Sequence, residues 1–375
     1  MIFNPGDVVA GRYLIKKFHL SGGMQEVYLC FDETLNREVA LKTPKEGVVD
    51  KRFNRGAQMG ARVNHANVAA TLDYVDENGT RCLIEEFVDG QDLGRALSLQ
   101  YFYLDPSLAA WIIHNVAKGL QAAHQVGICH RDLKPSNIMA STDPTLSTIK
   151  LTDFGIAKLA ENEIQAEMDR FEKDESTLTN SSTLLGAVPY LAPECWTDWS
   201  GAGQPIDIWS LGAIGFHLLS GKTPFGGGVP AIMKMAQMQQ AGKVELTRPS
   251  WFGKHVNTKL LEQSIWDLIV DCLQIDPEAR PTADQIVQRC EEWCYAAEKR
   301  YVGNISVYPR LYNDGARSQT GYIKEENSGK RLFFHASDFY GAVLPVKDLR
   351  VSYSAFSGSP DPRCAPVLNL RPLII

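Results

Sequence analysis

Five residues stand out by type and spacing. CHRDLKPSNIM (129–139) places a carboxylate, an ammonium and an amide close together, as Asp132, Lys134 and Asn137. LTDFGIAK, starting at residue 151, adds a second carboxylate, Asp153, and VALK far upstream ends on Lys42. A carboxylate beside a hydroxyl can take its proton, and a lysine can meet a phosphate as a compact point charge. Asp and Asn supply the hard oxygens that Mg2+ prefers. Phosphoryl transfer needs this equipment, because it asks for positioning and charge neutralisation more than for covalent chemistry. Each residue alone reads as a solvated or paired surface charge, so the argument rests on the set.

Three further motifs follow in order: VPYLAPE (188–194), DIWSLG (207–212) and DPEARP (276–281). With them the chain resembles the protein kinase family, specifically the bacterial Ser/Thr kinases of eukaryotic type, over residues 8–297. The resemblance implies an α+β bilobal kinase fold, with a strand-rich lobe at 8–88 and a helical lobe at 89–297. It implies ATP and Mg2+, or Mn2+ in its place, and protein substrates carrying Ser or Thr. Asp132 becomes the catalytic base, Lys134 and Lys42 the phosphate contacts, and Asn137 and Asp153 the metal ligands. Leu20, Gly22, Gly23, Val27, Ala40, Lys42, Glu86, Val88 and Met139 are placed around the nucleotide. Lys134, two after Asp132, is the Ser/Thr pattern. Arg131 resembles an arginine that pairs with an activation-loop phosphate, which points to Thr179 and Ser181 as phosphosites. Glu194 and Arg280 resemble a structural ion pair, and Asp207 a residue that holds the catalytic loop.

The family pattern fails in four places. HLSGGMQEVY (19–28) keeps one of the three expected loop glycines, with Leu20 and Gln25 at the outer two positions. Bulk there crowds the phosphates and weakens ATP binding without abolishing it. Gly56 occupies the position of the helix glutamate that partners the strand lysine. Glu85 stands where an apolar residue or Thr is usual, and a lone buried carboxylate is costly. Ala187 replaces a threonine that bonds the catalytic Asp and Lys. The pairing of Lys42 with Glu85 would resolve two of these departures with one contact. Intact Asp132, Asn137 and Asp153 favour an active enzyme. Gly56, Gln25 and Ala187 favour a pseudokinase scaffold with a vestigial nucleotide site.

The elements that must position these residues show in the periodicity. RYLIKKFHL, EVYLCFDE and REVALKTP alternate as strands, with RCLIEEFV (81–88) as another. Residues 51–63 read as a short helix. From residue 107 the apolar spacing turns helical, with Ser107 or Asp105 to start the first long helix and Gly127 to end it. IWSLGAIGFHLLSG and SIWDLIVDCLQI are two more helices. Residues 161–183 are polar and loop-like. The 375 residues suffice for a two-lobed domain plus a small module, and the net charge of −6 argues against a chain basic overall. No run is long and apolar enough for a membrane helix, and MIFNPGDVVAGRY lacks the character of a signal peptide. The cytoplasm is the expected location. The eight cysteines read as buried reduced thiols ahead of a disulfide framework or a zinc site; Cys290 and Cys294, four apart, would share a face if both lay on a helix.

Beyond residue 300 aromatics become denser and strand-like runs recur. Residues 301–375 read as a small β module. TGYIKEENSGKRLFFHASDFYG, LRVSYSAF and RCAPVLNLRP resemble a cold-shock domain, a five-stranded OB-type barrel. That resemblance puts Phe333, Phe334 and His335 on a nucleic-acid-stacking strand. The second stacking strand is missing. Docking on the kinase or on a partner therefore ranks ahead of single-stranded nucleic acid as the role of this module.

Overall fold

The computed structural model describes residues 1–21, 25–45, 51–77, 79–154, 186–196, 201–295, 299–312 and 315–372. An N-terminal sheet is built from β1 (Val8–Val9), β2 (Tyr13–Ser21), β3 (Gln25–Asp32), β4 (Arg37–Pro44), β5 (Thr71–Glu77) and β6 (Thr80–Glu86), in the order β1-β2-β3-β4-β6-β5. Side chains alternate across it. Tyr28, Cys30, Val39, Leu41, Cys82 and Ile84 fill one face. The other face carries Val27, Ala40, Lys42 and Glu85, by the register that pairs Val27 with Lys42 and Ala40 with Glu85. Leu83, also on that face, packs under helix α1 (Lys51–Gly60) through Phe53 and Ala57. The helix ends at residue 60 rather than 63, and β5 is a strand that its mixed sequence, TLDYVDE, did not announce.

The helical lobe is organised by α3 (Pro106–Gln125), preceded by the short α2 (Leu93–Leu99). Asp105 caps α3 by accepting from the Ser107 and Leu108 amides, and Gly127 beyond its end has φ 72°. A cap of this kind contributes about 1 kcal/mol. Gly119 lets α3 lie close to the catalytic region: a Cβ there would sit 2.8 Å from Leu151 Cδ1. Leu151 ends the strand Ile149–Leu151 (β9), which forms a small sheet with Ile138–Ala140 (β8) and Gln91–Asp92 (β7). Around α3 pack α4 (Pro205–Ser220), α5 (Gly228–Ala241), α6 (Lys259–Cys272) and α7 (Ala283–Glu291). The last begins in a capping box between Thr282 and Gln285. Because α7 stops at Glu291, Cys290 is buried while Cys294 is exposed; the two do not share a helix face. No described helix is long and apolar enough to cross a membrane.

The C-terminal strands are β10 (Arg300–Val307), β11 (Thr320–Glu325), β12 (Arg331–His335), β13 (Phe339–Tyr340), β14 (Arg350–Phe356) and β15 (Arg363–Asn369). They run in the order β12-β11-β10-β14-β15-β13, and a further β12–β15 pairing closes five of them into a barrel. Closure removes open sheet edges. Ile305, Ile323, Phe334, Val351 and Tyr353 fill its core. The barrel is not merely tethered. Tyr340, Leu368 and Leu370 belong to the helical lobe's own apolar core, and Leu370 bridges Tyr101 in antiparallel fashion. Arg300 meets Asp105 at 2.6 Å, an ion pair by distance without aligned hydrogen bonds, and both are buried.

Candidate active site

Strand register brings the first group together. Lys42 and Glu85 are diagonal neighbours on one face of β4 and β6, within reach for long side chains. Lys42 Nζ lies 2.5 Å from Glu85 Oε2 and 2.8 Å from Asp153 Oδ1. The expected Lys42–Glu85 pair is thus present, and Lys42 bridges two carboxylates. Burial opposes the lysine's charge, but Asp153 and then Glu85 outweigh it, so its pKa is raised. Burial pushes the Glu85 carboxyl up against the pull of Lys42. Burial would also raise Asp153, yet Lys42 and a hydrogen bond from Gln25 hold it below the usual carboxylate range. Gly56, buried on α1, offers no carboxylate.

Asp153 enters from the helical lobe. The Asn67 carbonyl accepts from the Leu151 amide, the Leu151 carbonyl accepts from Ala69, and the Asn67 side chain donates to Asn115. These contacts tie the end of β9 to the segment leading into β5. Asp153 has φ 63° and Arg131 has φ 66°, left-handed values that cost a non-glycine residue energy. Each is held there. Asp153 is gripped by Lys42 and Gln25. The Arg131 and His130 amides both donate to the buried carboxylate of Asp207, at 2.8 Å. Burial would raise Asp207, but the His124 hydrogen bond and nearby histidine charge keep it low. The Phe154 ring packs on His130 at 4.7 Å.

The catalytic loop positions the second group. Lys134 Nζ is 2.8 Å from Asp132 Oδ2, and the Asn137 amide nitrogen donates to the Asp132 carbonyl and to Oδ2. With its nitrogen used, Asn137 has its carbonyl oxygen left for a cation. The Asn137 amide oxygen and the Asp153 carboxylate are oxygens of the hard type that Mg2+ or Mn2+ takes. Ala187, buried, supplies no hydroxyl here, and Lys134 bonds Asp132 directly. Glu194 and Arg280 form a two-pronged pair at 2.6 and 2.9 Å. Arg131 donates to the Ala202 carbonyl at 3.2 Å.

Of the residues expected around a nucleotide, Val27, Ala40 and Val88 are buried and Met139 is half-buried. Glu86 follows Glu85 and its side chain is paired with Lys150 at 2.8 Å. Leu20 lies on β2 opposite Val27. Gly22, Gly23, Thr179 and Ser181 lie outside the described residues. Two contacts escaped the sequence reading. Gln25 was read only as bulk, yet its side chain reaches Asp153 at 2.9 Å. Lys150 carried no signal beyond its place in a short strand. In the barrel, Phe333, Phe334 and His335 all lie on β12, where alternation turns Phe334 into the core and leaves Phe333 and His335 half-exposed. One Tyr322 face is covered by Arg331, 3.4 Å from the ring centre.

Comparison with known proteins gives the family. The protein kinase domain family matches residues 20–292, and the chain belongs to that family. It is similar to the serine/threonine-protein kinase Pkn2 of Myxococcus xanthus, 32% identical over 87% of this chain and 37% of that protein. PrkC of Bacillus subtilis is 33% identical over 59% of this chain and 32% of its own length. PknA of Mycobacterium tuberculosis is 32% identical over 59% of this chain and 50% of its own. The chain thus spans half or less of each of these relatives.

Proposed function

We propose that the protein is an active serine/threonine kinase that transfers the γ-phosphoryl group of ATP to Ser or Thr hydroxyls of proteins. The observation that carries this reading is the double assembly: Asp132 with Lys134 and Asn137 on one side, Lys42 with Asp153 on the other. Asp132 takes the substrate hydroxyl's proton as that oxygen bonds to the γ-phosphorus and the bond to the β-phosphate oxygen breaks, releasing ADP. Lys134 steadies the transferring group and Lys42 the α/β-phosphates. Asn137 and Asp153 would hold Mg2+, or Mn2+ in its place, which would supply charge neutralisation on the phosphates. Glu85 takes over from the absent helix glutamate in orienting Lys42. The kinase unit is read as residues 8–297. The barrel, 301–375, is read as a part that completes the helical lobe, which its docking supports ahead of nucleic-acid capture.

Radiolabelled ATP with Mg2+ or Mn2+ tests the reading. Wild type should label itself or a generic protein substrate well above Asp132→Asn. Equal labelling would leave a pseudokinase scaffold.

A further inference from the structure

We propose that Gln25 is a positioning residue that holds Asp153 in place for its cation, beside Lys42. The proposal rests on the kinase reading above. Gln25 opens β3 on the sheet face that carries Val27, Ala40, Lys42 and Glu85, since it pairs with Pro44, two residues beyond Lys42. Its Nε2 donates to Asp153 Oδ1 at 2.9 Å, across 128 positions of sequence. A carboxylate only accepts, so the amide's orientation is set by chemistry.

The same Oδ1 takes Lys42 at 2.8 Å. Among the described residues, no hydrogen bond reaches Oδ2. Two donors on one oxygen fix the plane of the carboxylate and leave the other oxygen for a hard cation. Their obligations differ. Lys42 is also held by Glu85 and, on the kinase reading, is drawn to phosphates. Gln25 is neutral, and Asp153 is its one side-chain partner among the described residues. Its own Oε1 is buried with no hydrogen-bond partner among the described residues. The hydrogen bond that the side chain makes among the described residues is thus the N–H to Asp153. A glycine at this position has no atoms to make it. The bulky residue thus acts as a support for a metal ligand, of the kind whose loss weakens metal binding.

The test uses the full chain carrying Asp132→Asn, so that no turnover occurs. Mn2+ binding is followed by electron paramagnetic resonance in the presence of a non-hydrolysable ATP analogue. Analogue binding without metal is measured separately. Gln25→Met keeps the length and removes the donor. Mn2+ affinity should fall roughly tenfold, with metal-free analogue affinity unchanged. Gln25→Ala should move metal affinity in the same direction, and both variants are checked by thermal unfolding. Metal affinity equal to or tighter than the parent's overturns the proposal. So does an equal loss in both measurements, which would make Gln25 a phosphate contact. A parent that binds no Mn2+–analogue pair overturns the kinase reading itself, a separate result from a parent that binds and is indifferent to Gln25.

Discussion

Lys42 and Glu85 meet at 2.5 Å on one face of a single sheet, as diagonal neighbours on adjacent strands. Kinases usually orient this lysine from a helix, and the position of that helix is then a control point. Here both partners are borne by strands whose register already places them together. The pair is independent of where α1 sits, which suits a helix carrying Gly56 at the expected glutamate position.

Glu85→Gln should lower kcat/KM by roughly tenfold, or about 1–2 kcal/mol of transition-state stabilisation. Gly56→Glu in that background should recover part of it by restoring a helix-borne carboxylate. Steady-state kinetics with varied ATP measures both. Full activity in Glu85→Gln would show that Asp153 alone suffices to place Lys42.

Arg300→Met leaves Asp105 buried without its cation. We expect a loss of about 3 kcal/mol in denaturant unfolding. Asp105→Asn combined with Arg300→Met should cost less than the sum of the single changes. Additive losses would mean that the 2.6 Å contact carries no coupling.

Acid stability should depend on Asp32. Hydrogen bonds from Arg12 bring its pKa from 3.8 down to about 2. A carboxylate with a depressed folded-state pKa stabilises above its unfolded value, and that contribution is lost as pH falls toward the folded value. The stability gap between wild type and Asp32→Asn should therefore be constant above about pH 5 and close between pH 4 and 2. A gap that persists at pH 2 would assign the effect to the Asp32 hydrogen bonds with the Thr34 and Leu35 amides instead.

Active enzyme should carry phosphate on Thr179 or Ser181. Arg131 is the expected cationic partner, and charge-assisted contacts of this type order loops. Peptide mapping by mass spectrometry, with Asp132→Asn as the unmodified reference, decides it. An unphosphorylated loop in active enzyme refutes the expectation.

Much of the site was legible because kinase chemistry is written in short local strings. Asp132, Lys134 and Asn137 lie within one loop, and Lys42 is placed by simple alternation. The Lys42–Glu85 contact was also accessible, since register follows from the strands around it. Gln25 reaching Asp153 was not, because a contact spanning the cleft leaves no periodic trace in either segment. The resemblance put Phe333, Phe334 and His335 on one strand without saying which face each takes; alternation along β12 buries Phe334 and leaves Phe333 and His335 half-exposed. Nor did Tyr340 or Leu368 announce that they pack outside their own barrel, as an apolar residue does not encode which core it joins.

The β-bridge between Tyr101 and Leu370 has a consequence in time. A ribosome making this chain finishes the last kinase motif at Pro281, about ninety residues before Leu370 exists. At ordinary synthesis rates that is an interval of roughly 5–20 s. For most of it the helical lobe lacks Tyr340, Leu368 and Leu370 together, three residues of its own core, and it lacks Leu370 to the end. The catalytic half is fully synthesised well before it can be fully packed, so a nascent chain stalled near residue 300 should be far more open to protease than one stalled beyond 370.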